Sequence, residues 1–224
     1  MSEISVVLIS FSICLIINYI STKYNYLIDK KFFPHKSFVS KNSVPITGGL
    51  IFILSTFLFL RFENTFIYII YSIFFVGILS DLNILKSPYK RFILQITIIL
   101  ALVFLSKNFI SSVRIPLLDH LLTYIFFKYF FVIFCLLILI NGSNFIDGVN
   151  TLLIGYFISV ILIVVILINQ NNLDFETQNL KTIFSVLLVL FIFNFFEKFF
   201  SGDGGSYVIS LIVGYYLIEL SNLS

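Results

Sequence analysis

The stretch from Leu121 to Ile140 reads LLTYIFFKYFFVIFCLLILI, and it runs without a break into NGSNFIDGVN, Asn141 to Asn150. An apolar run of that length, carrying one charge, matches the ~20 residues a helix needs to cross the hydrocarbon core of a bilayer. Polar side chains then arrive together, so the predicted span ends at a chemically distinct edge. Asn141, Asn144 and Asp147 recur at a spacing of three, and if the helix continues they share one face. A solvated turn between two spans is the plainer alternative for the same ten residues.

The pattern repeats along the chain. Apolar runs occur at about 4–20, 46–60, 66–79, 92–105, 121–140, 151–169, 182–196 and 207–220. They predict an all-α polytopic membrane protein of about eight transmembrane helices. Several runs are nearer 15 residues than 20, which would place flanking Tyr, Ser and Gly in the interface or start some helices inside a vestibule. Of the 224 residues, 59% are hydrophobic and 11% charged, and the mean hydropathy is +1.08, values that exclude a water-soluble core and surface. No long polar segment interrupts the runs, so residues 1–224 read as one integral membrane domain. The first run has Glu3 before it and Lys23 after it, the flanks of a true span entering from outside and not of a cleaved leader.

Charge sets the orientation. With the N-terminus outside, the inner loops are 21–45, 80–91, 141–150 and 197–206. They hold Lys23, Lys30, Lys31, Lys36, Lys41, Lys86, Lys90, Arg91 and Lys198, against Arg61, Lys107, Arg114, Lys128 and Lys181 outside. This bias follows the positive-inside rule, and the spread of the 14 basic residues over loops argues against a nucleic-acid footprint.

All the unusual sequence lies in those inner loops. The first ends in Lys41-Asn-Ser-Val-Pro45-Ile-Thr-Gly48-Gly49, where Pro45 fits a helix start and the glycine pair lets backbone approach a neighbour or a ligand. The second opens with Gly77-Ile-Leu-Ser80-Asp81, and Asp81 closes an apolar helix that has no local need of a carboxylate. The fourth, Phe199-Phe200-Ser201-Gly202-Asp203-Gly204-Gly205-Ser206, is a glycine-rich turn ahead of the last run. Free backbone N–H groups there would suit phosphate, and Asp203 beside them could hold Mg²⁺, although a plain flexible turn has the same composition. His35 and His120 have no second ligand at metal spacing. Cys14 and Cys135 sit among Leu, Ile and Phe as small buried hydrophobes. Walker A, Gly-x-Ser-x-Gly and Ser-x-x-Lys patterns are absent.

Taken together, Val44 to Gly49, Gly77 to Asp81, Asn141 to Gly148 and Phe200 to Ser206 resemble the polyprenyl-phosphate sugar-1-phosphate transferases, glycosyltransferase family 4, in order and in loop position. The resemblance implies transfer of a sugar 1-phosphate from a UDP-sugar donor to undecaprenyl phosphate, with release of UMP. The reaction would depend on Mg²⁺, with Mn²⁺ as a substitute, and would initiate a cell-envelope glycan at the cytoplasmic face of the bacterial plasma membrane. It also implies roles. Asp203 would ligate the metal, Asp81 and Asp147 would be catalytic with it, Asn144 and Gly202 would line the nucleotide pocket, Phe200 would stack on uracil, and Lys41 would lie near the donor phosphates. The expected partners are the UDP-sugar, the polyprenyl phosphate and the bilayer, with a homodimer left open. The physics agrees, because a lipid-tailed phosphate can meet a soluble nucleotide only at the membrane surface.

Three departures from the family pattern accompany the resemblance. Ser80 stands where the family has the first Asp of a pair, and Asn150 where an acid is common. The chain also ends 18 residues after Ser206, ahead of the further spans and basic His-containing loop that the family carries. The alternative is therefore an inactive or truncated homologue that binds lipid phosphate or a partner without turnover. A transporter or channel would need acids near the midplane of several helices, whereas the acids here lie in loops, Glu197 and Glu219 near span ends apart.

Overall fold

The computed structural model describes residues 3–28, 44–60, 62–173 and 175–222. Within them the chain forms nine helices: α1 (Glu3–Tyr24), α2 (Gly48–Phe57), α3 (Asn64–Asp81), α4 (Pro88–Ser106), α5 (Pro116–Leu121), α6 (Ile125–Ile146), α7 (Leu152–Gln170), α8 (Gln178–Phe195) and α9 (Gly202–Ser221). Among the described residues the extended backbone is limited to an isolated antiparallel bridge between Ile28 and Pro45. Seven helices, all but α2 and α5, are long and apolar enough to cross a membrane.

The expected eighth span, 46–60, is a half-length helix. Ten residues rise about 15 Å, half of a bilayer core. The carbonyl of Thr56 accepts from both Phe59 N at 3.0 Å and Leu60 N at 2.8 Å, which tightens and ends the helix. Pro45 does not start it. Its carbonyl instead accepts from Phe200 N at 2.8 Å, three residues ahead of the first helical position. The small helix α5 falls in a segment read as a connection between spans, and Pro116 supplies its first position.

The bundle is built around α9, which packs against α2, α3, α6 and α7. It has the lowest mean hydropathy of the seven long helices and is the most enclosed of them. Both facts have one cause: a helix wrapped in protein needs small and hydroxyl-bearing residues for close contact, whereas lipid-facing helices need bulk apolar surface. Tyr207, Val208, Ile209, Leu211 and Ile212 of α9 are fully buried, while Phe104, Phe126 and Phe130 of α4 and α6 are exposed on the outer surface of the bundle.

Glycine makes the tightest contacts. A Cβ on Gly77 of α3 would stand 2.6 Å from Gly204 N and 2.8 Å from the Asp203 carbonyl carbon. One on Gly49 of α2 would stand 2.8 Å from Gly205 Cα. The glycine pair of the first inner loop thus serves a backbone neighbour, the plainer of its two readings. Hydrogen bonds from Gly48 N to Phe200 O at 2.9 Å and from Gly49 N to Ser201 O at 3.0 Å lock the same contact.

Candidate active site

Three helices bring a carboxylate to the first turn of α9. Asp81 is the last residue of α3, Asp147 caps the C-terminal end of α6, and Asp203 is the second residue of α9 itself. Because α6 continues through Asn141 and Asn144 to Ile146, the spacing of three does put these side chains on a continuing helix. The glycine-rich segment is also helical from Gly202 onward and is not a loop.

An α-helix begins with four N–H groups that have no partner inside the helix, and the partial positive charge gathered there attracts anions. In α9 the amides of the first three residues are occupied. Gly202 N donates to Asp147 Oδ2 at 2.8 Å, Asp203 N to Asp81 Oδ1 at 2.9 Å and Gly204 N to Asp81 Oδ2 at 3.1 Å. Gly205 N then makes the first bond inside the helix, to Ser201 O at 3.3 Å. The expectation of free amides for a phosphate is therefore corrected: the chain's own carboxylates cap this terminus. Charge-assisted bonds of this kind contribute about 1.5–3 kcal/mol each, and they tether α9 to both α3 and α6.

Gly202 is required for that geometry. Its φ is +72°, and a Cβ there would stand 2.7 Å from Asp81 Oδ2. Its part is thus in the clamp, and its N–H points at Asp147 and not at an open pocket. Asn144 joins from α6, its Oδ1 lying 3.0 Å from the Ser206 hydroxyl, which is also 3.1 Å from Asp203 O.

Asp203 differs from the other two carboxylates. Its Oδ2 accepts from the Ser80 hydroxyl, from Arg91 Nη1 at 2.7 Å and, more distantly, from the Tyr207 hydroxyl at 3.5 Å. Arg91 Nη1 also donates to Ser80 Oγ at 2.6 Å, closing a ring of three side chains. The Arg91 and Asp203 side chains are 25% and 20% exposed, so this ion pair is partly desolvated. None of these bonds engages Oδ1.

Phe200 does not offer the expected stacking face. It is 4% exposed, and its backbone is held by Pro45 and Gly48. Lys41 lies outside the described residues. Sequence reasoning missed Arg91 and Tyr207. Arg91 sits in a Lys86–Arg91 run that the orientation rule already explained, and nothing local separates it from its neighbours. Tyr207 is one aromatic among many in an apolar run. A polar brace was missed as well: Asn194 at the end of α8 accepts from Thr151 N at 2.6 Å and donates to Phe199 O at 2.6 Å, joining two of the motif-bearing loops.

The family model for glycosyl transferase family 4 matches residues 64–221, from the first residue of α3 to the last of α9. The chain belongs to this family. The matched segment of this family 4 chain contains all three aspartates, Ser80 and Arg91, and excludes Lys41 and residues 45–49. A phospho-N-acetylmuramoyl-pentapeptide-transferase of Dictyoglomus thermophilum is 27% identical over 183 residues. That alignment covers 77% of this chain and 58% of the relative, so the chain spans less than two thirds of the relative's length. Among the described residues no three His, Cys, Asp or Glu side chains form a ready-made metal cage.

Proposed function

We propose that this protein transfers a sugar 1-phosphate from a UDP-sugar to a polyprenyl phosphate, releasing UMP, at the cytoplasmic face of a bacterial plasma membrane. The observation that carries this reading is the meeting of Asp81, Asp147 and Asp203 at one end of the bundle, with Asp203 Oδ1 taking none of the bonds that hold its Oδ2. In the reaction, an oxygen of the acceptor phosphate bonds to the sugar-linked phosphorus of the donor. The bond from that phosphorus to the bridging oxygen breaks, and UMP leaves with the electron pair.

The donor set fits Mg²⁺. A carboxylate oxygen is a hard ligand, and Mg²⁺ usually keeps several waters and takes one or two carboxylates plus substrate phosphates in place of an all-protein cage. Asp203 Oδ1 would hold it, and Mn²⁺ would substitute. When bound, the ion neutralises charge on the diphosphate as the phosphoryl group moves. Asp81 and Asp147 act on the reaction through the backbone of residues 202–204, fixing where Asp203 points. Arg91 and Ser80 hold the other oxygen of Asp203. An end-of-bundle site lets a lipid-tailed phosphate stay in the leaflet while the nucleotide arrives from water.

The test is exchange of labelled UMP into a UDP-sugar by the purified full chain in the presence of polyprenyl phosphate. Exchange that needs Mg²⁺ and falls by more than about 10³-fold in Asp203→Asn supports the reading. No exchange by the wild-type chain with any common UDP-sugar, or exchange untouched by Asp203→Asn, overturns it.

A further inference from the structure

We infer that Arg91 is a resident cation of Asp203, docked on Ser80, and that a divalent metal must displace it or share the carboxylate with it. The inference rests on the reading of Asp203 as the metal ligand. Arg91 stands in the first turn of α4, after the Ser87 cap and Pro88, and reaches across to α9. Its Nη1 lies 2.7 Å from Asp203 Oδ2 and 2.6 Å from Ser80 Oγ. Ser80 donates to that same Oδ2, so the hydroxyl fixes both the guanidinium and the carboxylate.

The charges explain why a cation belongs here. Asp81, Asp147 and Asp203 lie close enough for Asp81 to feel the charge of the other two. Backbone amides offset Asp81 and Asp147, but Asp203 has no such amide on its carboxylate among the described residues. Ser80 stands where a further acid would add negative charge, and its hydroxyl holds Asp203 together with Arg91. A metal arriving at Asp203 meets a positive group already there, and like charges at such range repel. Arg91 has a planar fork of donors suited to phosphate, so a nucleoside diphosphate that accompanies the metal gives the displaced guanidinium a new partner. Metal and nucleotide would then bind cooperatively, and either alone weakly.

The experiment titrates Mn²⁺ into the full chain in detergent and reads the free aqueous ion by electron paramagnetic resonance, first without nucleotide and then with UDP. Without nucleotide, Arg91→Gln is expected to bind Mn²⁺ about tenfold more tightly than wild type. Arg91→Lys, which keeps the charge, should stay within about twofold of it, and Ser80→Ala should gain roughly threefold. With UDP, wild type gains more Mn²⁺ affinity than Arg91→Gln does. Damage to packing alone would not raise metal affinity, so the sign of the change separates this role from a structural one. Mn²⁺ affinity in Arg91→Gln equal to or weaker than wild type overturns the inference while Asp203→Asn has lost the ion. If Asp203→Asn binds Mn²⁺ as wild type does, the assignment of the metal to Asp203 has failed, and the inference falls with it. Should Arg91→Gln not fold, Ser80→Ala decides by the same sign.

Discussion

Replacing Gly77 by alanine should cripple the site without touching any of its side chains. The added Cβ would stand 2.6 Å from Gly204 N and 2.8 Å from the Asp203 carbonyl carbon. Gly204 Cα would be closer still; ordinary heavy-atom contact needs roughly 3.5 Å, so the start of α9 must retreat from α3 by about 1.1 Å. The two bonds that Asp81 accepts, now 2.9 and 3.1 Å, would then lengthen past useful hydrogen-bonding range. Losing them, together with strain in the overpacked contact, should destabilise the protein by about 2–4 kcal/mol. Because Asp203 rides on the same turn, a displacement near 1 Å should also lower UMP exchange on the order of 10²-fold. Gly142→Ala is the matched control: a Cβ there meets nothing within 4 Å, and alanine in a helix is, if anything, stabilising by up to about 1 kcal/mol. The assays are thermal unfolding in detergent, followed by intrinsic tyrosine fluorescence, and UMP exchange at saturating substrate. If Gly77→Ala and Gly142→Ala unfold at the same temperature and exchange at the same rate, the backbone contact between α3 and α9 does not position the site.

Other outcomes follow from the same geometry. Asn194→Ala removes one acceptor and one donor from a buried brace. It should destabilise by about 2–3 kcal/mol, and an unfolding temperature within a degree of wild type would show that the brace is dispensable. Phe200→Leu, at a position 4% exposed, should reduce stability by about 1 kcal/mol and leave the KM for the UDP-sugar unchanged. A tenfold rise in KM at constant stability would instead restore the ring as a uracil platform. Ser80→Asp puts a further carboxylate beside Arg91 and Asp203. It should lower the unfolding temperature in chelator and gain more from millimolar Mg²⁺ than wild type does; equal metal stabilisation of the two proteins would contradict a net negative site.

Most of the membrane architecture is legible in the residues, because a span is a local property: about 20 apolar side chains in a row satisfy the bilayer whatever surrounds them. Seven of the eight expected spans are helices of that length. The eighth misled because residues 46–60 carry no charge and are mostly apolar, yet their helix stops at Phe57. Hydropathy counts side chains and cannot see where the Thr56 carbonyl closes a turn. The three aspartates were legible too, since a carboxylate at the edge of an apolar helix has few reasons to be there.

The sequence by itself determined a lipid-embedded helical chain with Asp81, Asp147 and Asp203 at the edges of apolar runs, because composition and run length fix which segments water will accept. Only the tertiary structure decided what each acid does. Asp81 and Asp147 are capped onto the backbone of α9, while Asp203 is left to Arg91 and Ser80. Those pairings link residues more than 50 positions apart, and they form because glycines let α3 approach α9 at backbone distance. Hydrogen-bond partners across such separations are set by packing, and no local pattern of residues encodes them.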